Sequence, residues 1–329
     1  MEANSVRRDN HAVSRAIVTG GAGFVAANLI RRLLQDGHDV IATVRPQSDT
    51  WRIDGLGSEI DCVELDITDP ERVAGIVGRV KPDTIFHLAS HGAYSWQHER
   101  RRIFDTNIGG TMNILDAAVG HDVGTVVMAG SSSEYGFKDH SPAETEALEP
   151  NSDYALAKAA ATLLGGHIGR SESVNVVTLR LYSAYGPWEE PSRLVPRLIA
   201  NALSGHLPPL VDPDIARDFV FTADVVDGFI RAAEHAATAT DRVYNLGSGR
   251  QTTLREIVET TRRLFAVREE PVWNTMARRT WDTKVWVADP ARIRTELGWE
   301  ASTSLEQGLV STAEWLEKTE ADIRERYAV

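Results

Sequence analysis

The sequence predicts an α/β protein built on a doubly wound parallel sheet, with a smaller mixed lobe toward its C-terminus. Three observations predict it. Short apolar runs alternate with helix-period segments from Arg15 onward. A glycine-rich turn closes the first run and opens the first helical segment. Beyond this alternating region, Pro187, Pro191, Pro196, Pro208, Pro209 and Pro213 break the chain into short pieces. Strand–helix alternation at this spacing fits parallel strands joined by crossover helices, an architecture that binds its ligand at the carboxyl ends of the strands.

Taken in order, residues 16–19 read as a buried strand and 24–35 as a helix. Residues 39–44 and 62–65 are the second and third strands. Residues 70–80 are helical, with Pro70 suited to the first turn. A strand at 84–89, a helix at 107–119 and a strand at 125–129 follow. An Ala/Leu-rich helix at 154–169 and a strand at 175–181 complete the series. The expected division is a flexible tail at 1–14, a sheet domain at 15–186, and a lobe at 187–329 that covers the mouth of the sheet. About 217–247 is expected to return to the sheet. Trp273, Trp281, Trp286 and Trp299 fall in the last quarter, as does Trp315, and the first four are assigned to the lobe.

A length of 329 residues suits one large α/β unit with an attached lobe. The net charge of −12 argues against a nucleic-acid binder, which needs a basic surface, yet allows a local arginine pocket for a small phosphorylated ligand. Cys62 is the only cysteine, so no intramolecular disulfide forms, which suits a reducing, cytoplasmic setting. The polar N-terminal stretch lacks the apolar core of a signal peptide. No run of about 18 apolar residues occurs, so no membrane span is expected. No metal is expected either.

Four constellations carry chemistry. The first is Thr19-Gly20-Gly21-Ala22-Gly23-Phe24-Val25-Ala26, between strand and helix. Gly20 permits a tight turn and Gly23 lets a pyrophosphate approach the backbone, while the helix N-terminus offers free N–H groups and a positive dipole end. This is a dinucleotide signature of the Rossmann type, with Ala26 in place of the third glycine. The second is the end of the second strand. Val44 stands near the place where an acidic residue would bond the ribose hydroxyls of NAD(H), and Arg45 follows. A guanidinium there pairs with a 2′-phosphate, so NADP(H) is preferred over NAD(H); a solvated loop arginine is the plain alternative.

The third is Tyr154-Ala155-Leu156-Ala157-Lys158, whose spacing puts phenol and ammonium on one helix face. The ammonium is expected to lower the tyrosine pKa and let Tyr154 exchange a proton. The fourth is the run Ser131-Ser132-Ser133-Glu134-Tyr135-Gly136 at the end of a buried strand. A hydroxyl there would bond the substrate oxygen that Tyr154 protonates.

Together these landmarks resemble the extended short-chain dehydrogenases/reductases that modify nucleotide sugars. The resemblance also rests on Leu65-Asp66-Ile67, Phe86-His87-Leu88-Ala89, the segment from Asn107 to Leu115, Arg180-Leu181-Tyr182-Ser183-Ala184-Tyr185-Gly186-Pro187, Arg217-Asp218-Phe219-Val220, Tyr244-Asn245-Leu246-Gly247 and Leu297-Gly298-Trp299. It implies that Gly20, Gly23, Phe24 and Val25 hold the pyrophosphate, that Asp66 and Ile67 flank the adenine, and that Leu88, Ala89 and Ser90 line the ribose side. It implies a catalytic group of Tyr154, Lys158 and Ser132, with Asn107 helping to hold the lysine through a water. Arg217 and Arg279 would contact the substrate's diphosphate, and Ser133 and Ser183 its sugar. Ser183 replaces an asparagine of many members. The serine run is one residue shorter than usual, and Ser132 is favoured over Ser131 and Ser133.

The implied reactions are three. A 4-keto nucleotide-diphosphate sugar reductase is favoured by Arg45 and by the compact Ser133-Glu134-Tyr135-Gly136. An NAD-dependent 4-epimerase is the alternative, and a 4,6-dehydratase is less favoured. In the dehydratase Glu134 would remove the C5 proton; in the reductase it would position a sugar hydroxyl, or else bond only a backbone amide. A non-catalytic cofactor sensor or scaffold is the reading from another class. A homodimer is expected through the helices at 107–119 and 154–169, packed on Gly109, Gly110, Ala117, Ala118, Ala159, Ala160, Ala161 and Gly165.

Overall fold

The computed structural model describes residues 14–94, 96–239, 242–276 and 283–328. The strands are β1 (Arg15–Thr19), β2 (Asp39–Val44), β3 (Asp61–Glu64), β4 (Thr84–His87), β5 (Thr125–Ser131), β6 (Asn175–Leu181), β7 (Ser183–Tyr185), β8 (Ala216–Arg217), β9 (Phe219–Phe221), β10 (Val243–Leu246) and β11 (Thr252–Thr253). The helices are α1 (Phe24–Gln35), α2 (Pro70–Val80), α3 (Arg100–Phe104), α4 (Gly110–Gly120), α5 (Asp153–Ser171), α6 (Leu194–Leu203), α7 (Thr222–His235), α8 (Leu254–Leu264), α9 (Ala291–Leu297), α10 (Leu305–Lys318) and α11 (Ala321–Arg326).

Seven strands form one parallel sheet in the order β10-β6-β5-β4-β1-β2-β3. The chain order reverses between β4 and β1, which opens a crevice beyond their carboxyl ends. One face packs against α1 and α7 through Leu29, Ile30 and Phe229. The other packs against α2, α4 and α5 through Val73, Leu115 and Ala161. A third apolar cluster joins α6, α8 and α10 through Leu198, Ile257 and Leu309. β10 extends the sheet beyond β6, so a segment late in the chain completes its edge. No described helix is long and apolar enough to cross a membrane.

Three expectations change. β4 stops at His87 because the next two amides, of Leu88 and Ala89, donate to Thr19 Oγ1 at 3.1 Å each instead of joining the ladder. The helix expected at 107–119 is α3, a π-type turn over Asp105–Gly109, and then α4; within that turn Asn107 is buried. Trp299 lies in the sheet's core, 1% exposed, with its Nε1 donating to Asp224 O at 2.9 Å, and not in the lobe. Conversely Trp51, from the loop after β2, joins the lobe cluster against Trp188. Trp281 and residues 1–13 of the expected tail lie outside the described residues.

The small residues of α4 and α5 mostly seat these helices on their own neighbours. A Cβ at Gly110 would meet Ile67 at 2.5 Å, and one at Gly165 would meet Met128 at 2.8 Å. Ala117, Ala118, Ala159 and Ala161 are buried inside the chain. Gly109, where a Cβ would meet nothing within 4 Å, and the half-buried Ala160 are the two that stay open to a second chain.

Candidate active site

The crevice is a cavity of about 1360 Å³ lined from both the sheet and the lobe. At its floor Gly20 turns with φ +69°, and a Cβ there would stand 2.8 Å from Ala89 Cα. Thr19 forces this closeness, because its hydroxyl gathers the Leu88 and Ala89 amides. His87 braces Thr19 from behind, Nδ1 to Oγ1 at 2.8 Å, and its other nitrogen meets Thr111 Oγ1 at 3.0 Å. Burial holds this imidazole neutral, pushing its pKa down to about 3. No side chain caps α1 at Gly23, and Phe24, Val25 and Ala26 line the cavity. Glycine backbone and an uncapped helix N-terminus fit a dinucleotide's pyrophosphate. Arg45, Asp66, Ile67, Leu88, Ala89 and Ser90 line the same cavity.

The serine run is organised by Glu134. β5 continues to Ser131, and a tight turn over Ser132–Tyr135 follows. Ser131 N donates to Glu134 Oε1 at 2.8 Å, and Ser133 N donates to Ser131 Oγ at 3.2 Å. Thr162 of α5 donates to the same carboxylate oxygen at 3.0 Å, and Arg180 Nε of β6 donates to Oε2 at 2.8 Å. Glu134 is 0% exposed and does not line the cavity. Its assignment as a catalytic or sugar-positioning group is corrected: the carboxylate is consumed by the turn and by Arg180. Gly130 makes room for it, since a Cβ there would lie 3.0 Å from Glu134 Oε1.

Tyr154 and Lys158 project from the first turns of α5, which Ser152 caps by accepting the Ala155 amide at 3.1 Å. Both line the cavity with Ser131, Ser132 and Ser133. The Ser131 side chain is near enough to the Tyr154 phenol to pull its pKa down, against the larger effect of burial. Ser132, favoured from the sequence, instead accepts a bond from Trp286 Nε1 at 3.2 Å. Lys158 Nζ donates to Ala129 O. The expected lowering of the tyrosine pKa is absent: burial pushes Tyr154 up to about 12, and the same burial pulls Lys158 down to about 8. Asn107 bonds the His91 backbone in both directions at 2.8 Å and does not line the cavity.

Toward the lobe, Ser183 and Arg217 line the cavity. Arg217 stands 5.7 Å from the Trp286 ring, so this indole separates the serine run from the arginine. Arg279 lies outside the described residues. Sequence reasoning missed Trp286, Arg102 and Arg52. Arg102 lies in a visible arginine run, whereas the other two are placed by tertiary packing alone.

Residues 16–247 match the family described as the NAD dependent epimerase/dehydratase family. The chain belongs to that family. It is an enzyme fold of the extended short-chain dehydrogenase/reductase type, whose relatives act on nucleotide sugars. A dTDP-glucose 4,6-dehydratase from Streptomyces griseus is 30% identical over 321 residues, covering 92% of this chain and 94% of that protein. The solved UDP-glucose 4-epimerase of Thermotoga maritima with UDP-glucose superposes with a TM-score of 0.84 at 28% identity, covering 92% of this chain and 99% of that one. The UDP-glucose 4-epimerase of Stenotrophomonas maltophila, with bound NAD and formylated UDP-arabinopyranose, gives 0.81 at 26% identity, covering 92% and 97%.

The buried ion pair yields a prediction. Glu134→Gln leaves the Arg180 guanidinium, 3% exposed, without its counter-charge. Urea unfolding should show a loss of about 3–5 kcal/mol, the usual cost of breaking a buried pair from one side. A loss below about 1 kcal/mol would contradict the structural role.

Proposed function

We propose that this enzyme reduces a 4-keto nucleotide-diphosphate sugar with NADP(H). The observation that carries the reading is Arg45, lining the cavity directly after Val44, which stands near the place where an NAD site would have a carboxylate. Bound NADPH would supply the hydride. Tyr154 donates a proton to the developing alkoxide at C4, and Ser131 Oγ hydrogen-bonds that oxygen. A phenol with its pKa near 12 is protonated at neutral pH, which suits an acid in the reductive direction. Lys158, one turn along α5, holds the cofactor's ribose and places a positive charge beside the reacting oxygen. Gly20, Gly23, Phe24 and Val25 hold the pyrophosphate, while Asp66 and Ile67 flank the adenine. Leu88, Ala89 and Ser90 line the ribose side. Arg217 takes the substrate diphosphate, and Ser133 and Ser183 take sugar hydroxyls.

The second reading is a nucleotide-sugar 4-epimerase, favoured by the solved relatives with UDP-glucose and with NAD. The dehydratase reading has lost its C5 base, because Glu134 is enclosed away from the cavity. The meeting of Tyr154, Lys158 and Ser131 at one cavity supports catalysis over a sensing role. A second copy of the chain is proposed as partner: beside Gly109 and Ala160, α4 and α5 expose Met112, Leu156 and Leu163.

Two tests follow. With NADPH and a 4-keto-6-deoxy nucleotide sugar, Tyr154→Phe should lower turnover by about 10²–10⁴-fold with little change in substrate binding. Ser131→Ala should lower it more than Ser132→Ala; the reverse order would return the role to Ser132. The second test is a pH titration. Lys158 is charged below about pH 8 and loses its proton above. The dissociation constant for NADPH should therefore be flat between about pH 7 and 8 and rise above it, by at most about tenfold per unit, and Lys158→Met should remove the step. An affinity independent of pH between 7 and 9.5 would remove Lys158 from the cofactor site.

A further inference from the structure

The cofactor cavity carries a second arginine that the end of β2 does not supply. In the run Arg100-Arg101-Arg102, the first two side chains are engaged. Arg100 Nε reaches Asp153 at 3.0 Å and Arg101 Nε reaches Asp105 at 3.1 Å. Arg102 is different. It lines the cavity together with Arg45, and among the described residues neither guanidinium donates a hydrogen bond or joins an ion pair within 4 Å. The two lie close enough to act on each other. Partial burial and then the like charge of Arg102 lower the Arg45 pKa, while Asp66 opposes them. Both arginines act on Asp66, whose Oδ1 already accepts the amide and hydroxyl of Thr68 at 3.0 and 2.8 Å.

Two cations and one carboxylate leave an uncompensated positive charge at the adenosine end of the cavity. We propose that Arg102 and Arg45 together grip the 2′-phosphate of NADP(H), with Arg102 a cofactor-selecting residue contributed by α3. The inference rests on the NADP(H) reading given above. A phosphate dianion offers three acceptor oxygens, enough for two forked guanidiniums arriving from separate elements, and its charge relieves their mutual repulsion. The 2′-hydroxyl of NAD(H) offers neither. A guanidinium that merely stacked on the adenine would treat both cofactors alike.

The test uses the full chain and two small probes, adenosine 2′-monophosphate and adenosine 5′-monophosphate, titrated by calorimetry. Arg102→Ala should weaken the 2′-phosphate probe about ten- to hundredfold, the loss of charge-assisted hydrogen bonds, and leave the 5′ probe within about twofold. Arg102→Lys should keep part of the affinity through its point charge. The Arg45→Ala, Arg102→Ala double variant should lose less than the product of the single losses, because both side chains serve one phosphate. Equal losses for both probes, or none, would overturn the assignment of Arg102. If Arg45→Ala alone discriminates between the probes, the NADP(H) reading survives and only Arg102 falls. A wild-type protein that binds the 2′ probe no better than the 5′ probe would overturn both.

Discussion

The buried pair of Glu134 and Arg180 is the constraint on which the reactive end of the molecule depends. The pair joins β5 to β6, and the carboxylate also takes the Ser131 amide and the Thr162 hydroxyl of α5. Arg180 Nη1 continues to the Tyr135 hydroxyl at 2.7 Å, and that hydroxyl donates to Asn245 of β10 at 2.6 Å. Three strands and the helix bearing Tyr154 therefore meet at one charge pair. Such a pair adds little net stability over an apolar replacement, but it tolerates few geometries. Its effect is positional: it holds the turn after β5, which leaves Ser131 lining the cavity together with Tyr154.

Much of this was legible in the residue order. Fully buried parallel strands need unbroken apolar runs, so β1, β2 and β6 stand out in the sequence. The need for a left-handed turn against Ala89 is written in Gly20, and the meeting of Tyr154 and Lys158 at one cavity in their four-residue spacing. What could not be read depends on distant partners. What sets Ser131 and Ser132 apart is a tryptophan 154 residues away, which bonds the Ser132 hydroxyl. Glu134 looks like a catalytic carboxylate until Arg180 is seen against it. The tyrosine pKa moves opposite to expectation because burial outweighs a lysine that bonds Ala129 O. Trp299 belongs to the core because α7 presents it a carbonyl.

The two ends of the cavity divide the work. Near α5 the groups are buried and their proton affinities displaced, as proton transfer requires. At the far end Arg45 and Arg102 remain charged and partly solvated, suited to recognising a charge without chemistry. Toward the lobe, Trp286 stands between Ser132 and Arg217. Such a cavity would serve either a net reductase, which consumes its cofactor each turn, or an epimerase, which returns the hydride to the same sugar.

That distinction is measured by isotope. NADPH carrying deuterium at C4 of the nicotinamide should be oxidised in equal amount to a 4-keto nucleotide sugar. The product should gain one mass unit, located at C4 of the sugar. Interconversion of C4 epimers with no NADPH consumed and no deuterium in the product would contradict the account and establish the epimerase.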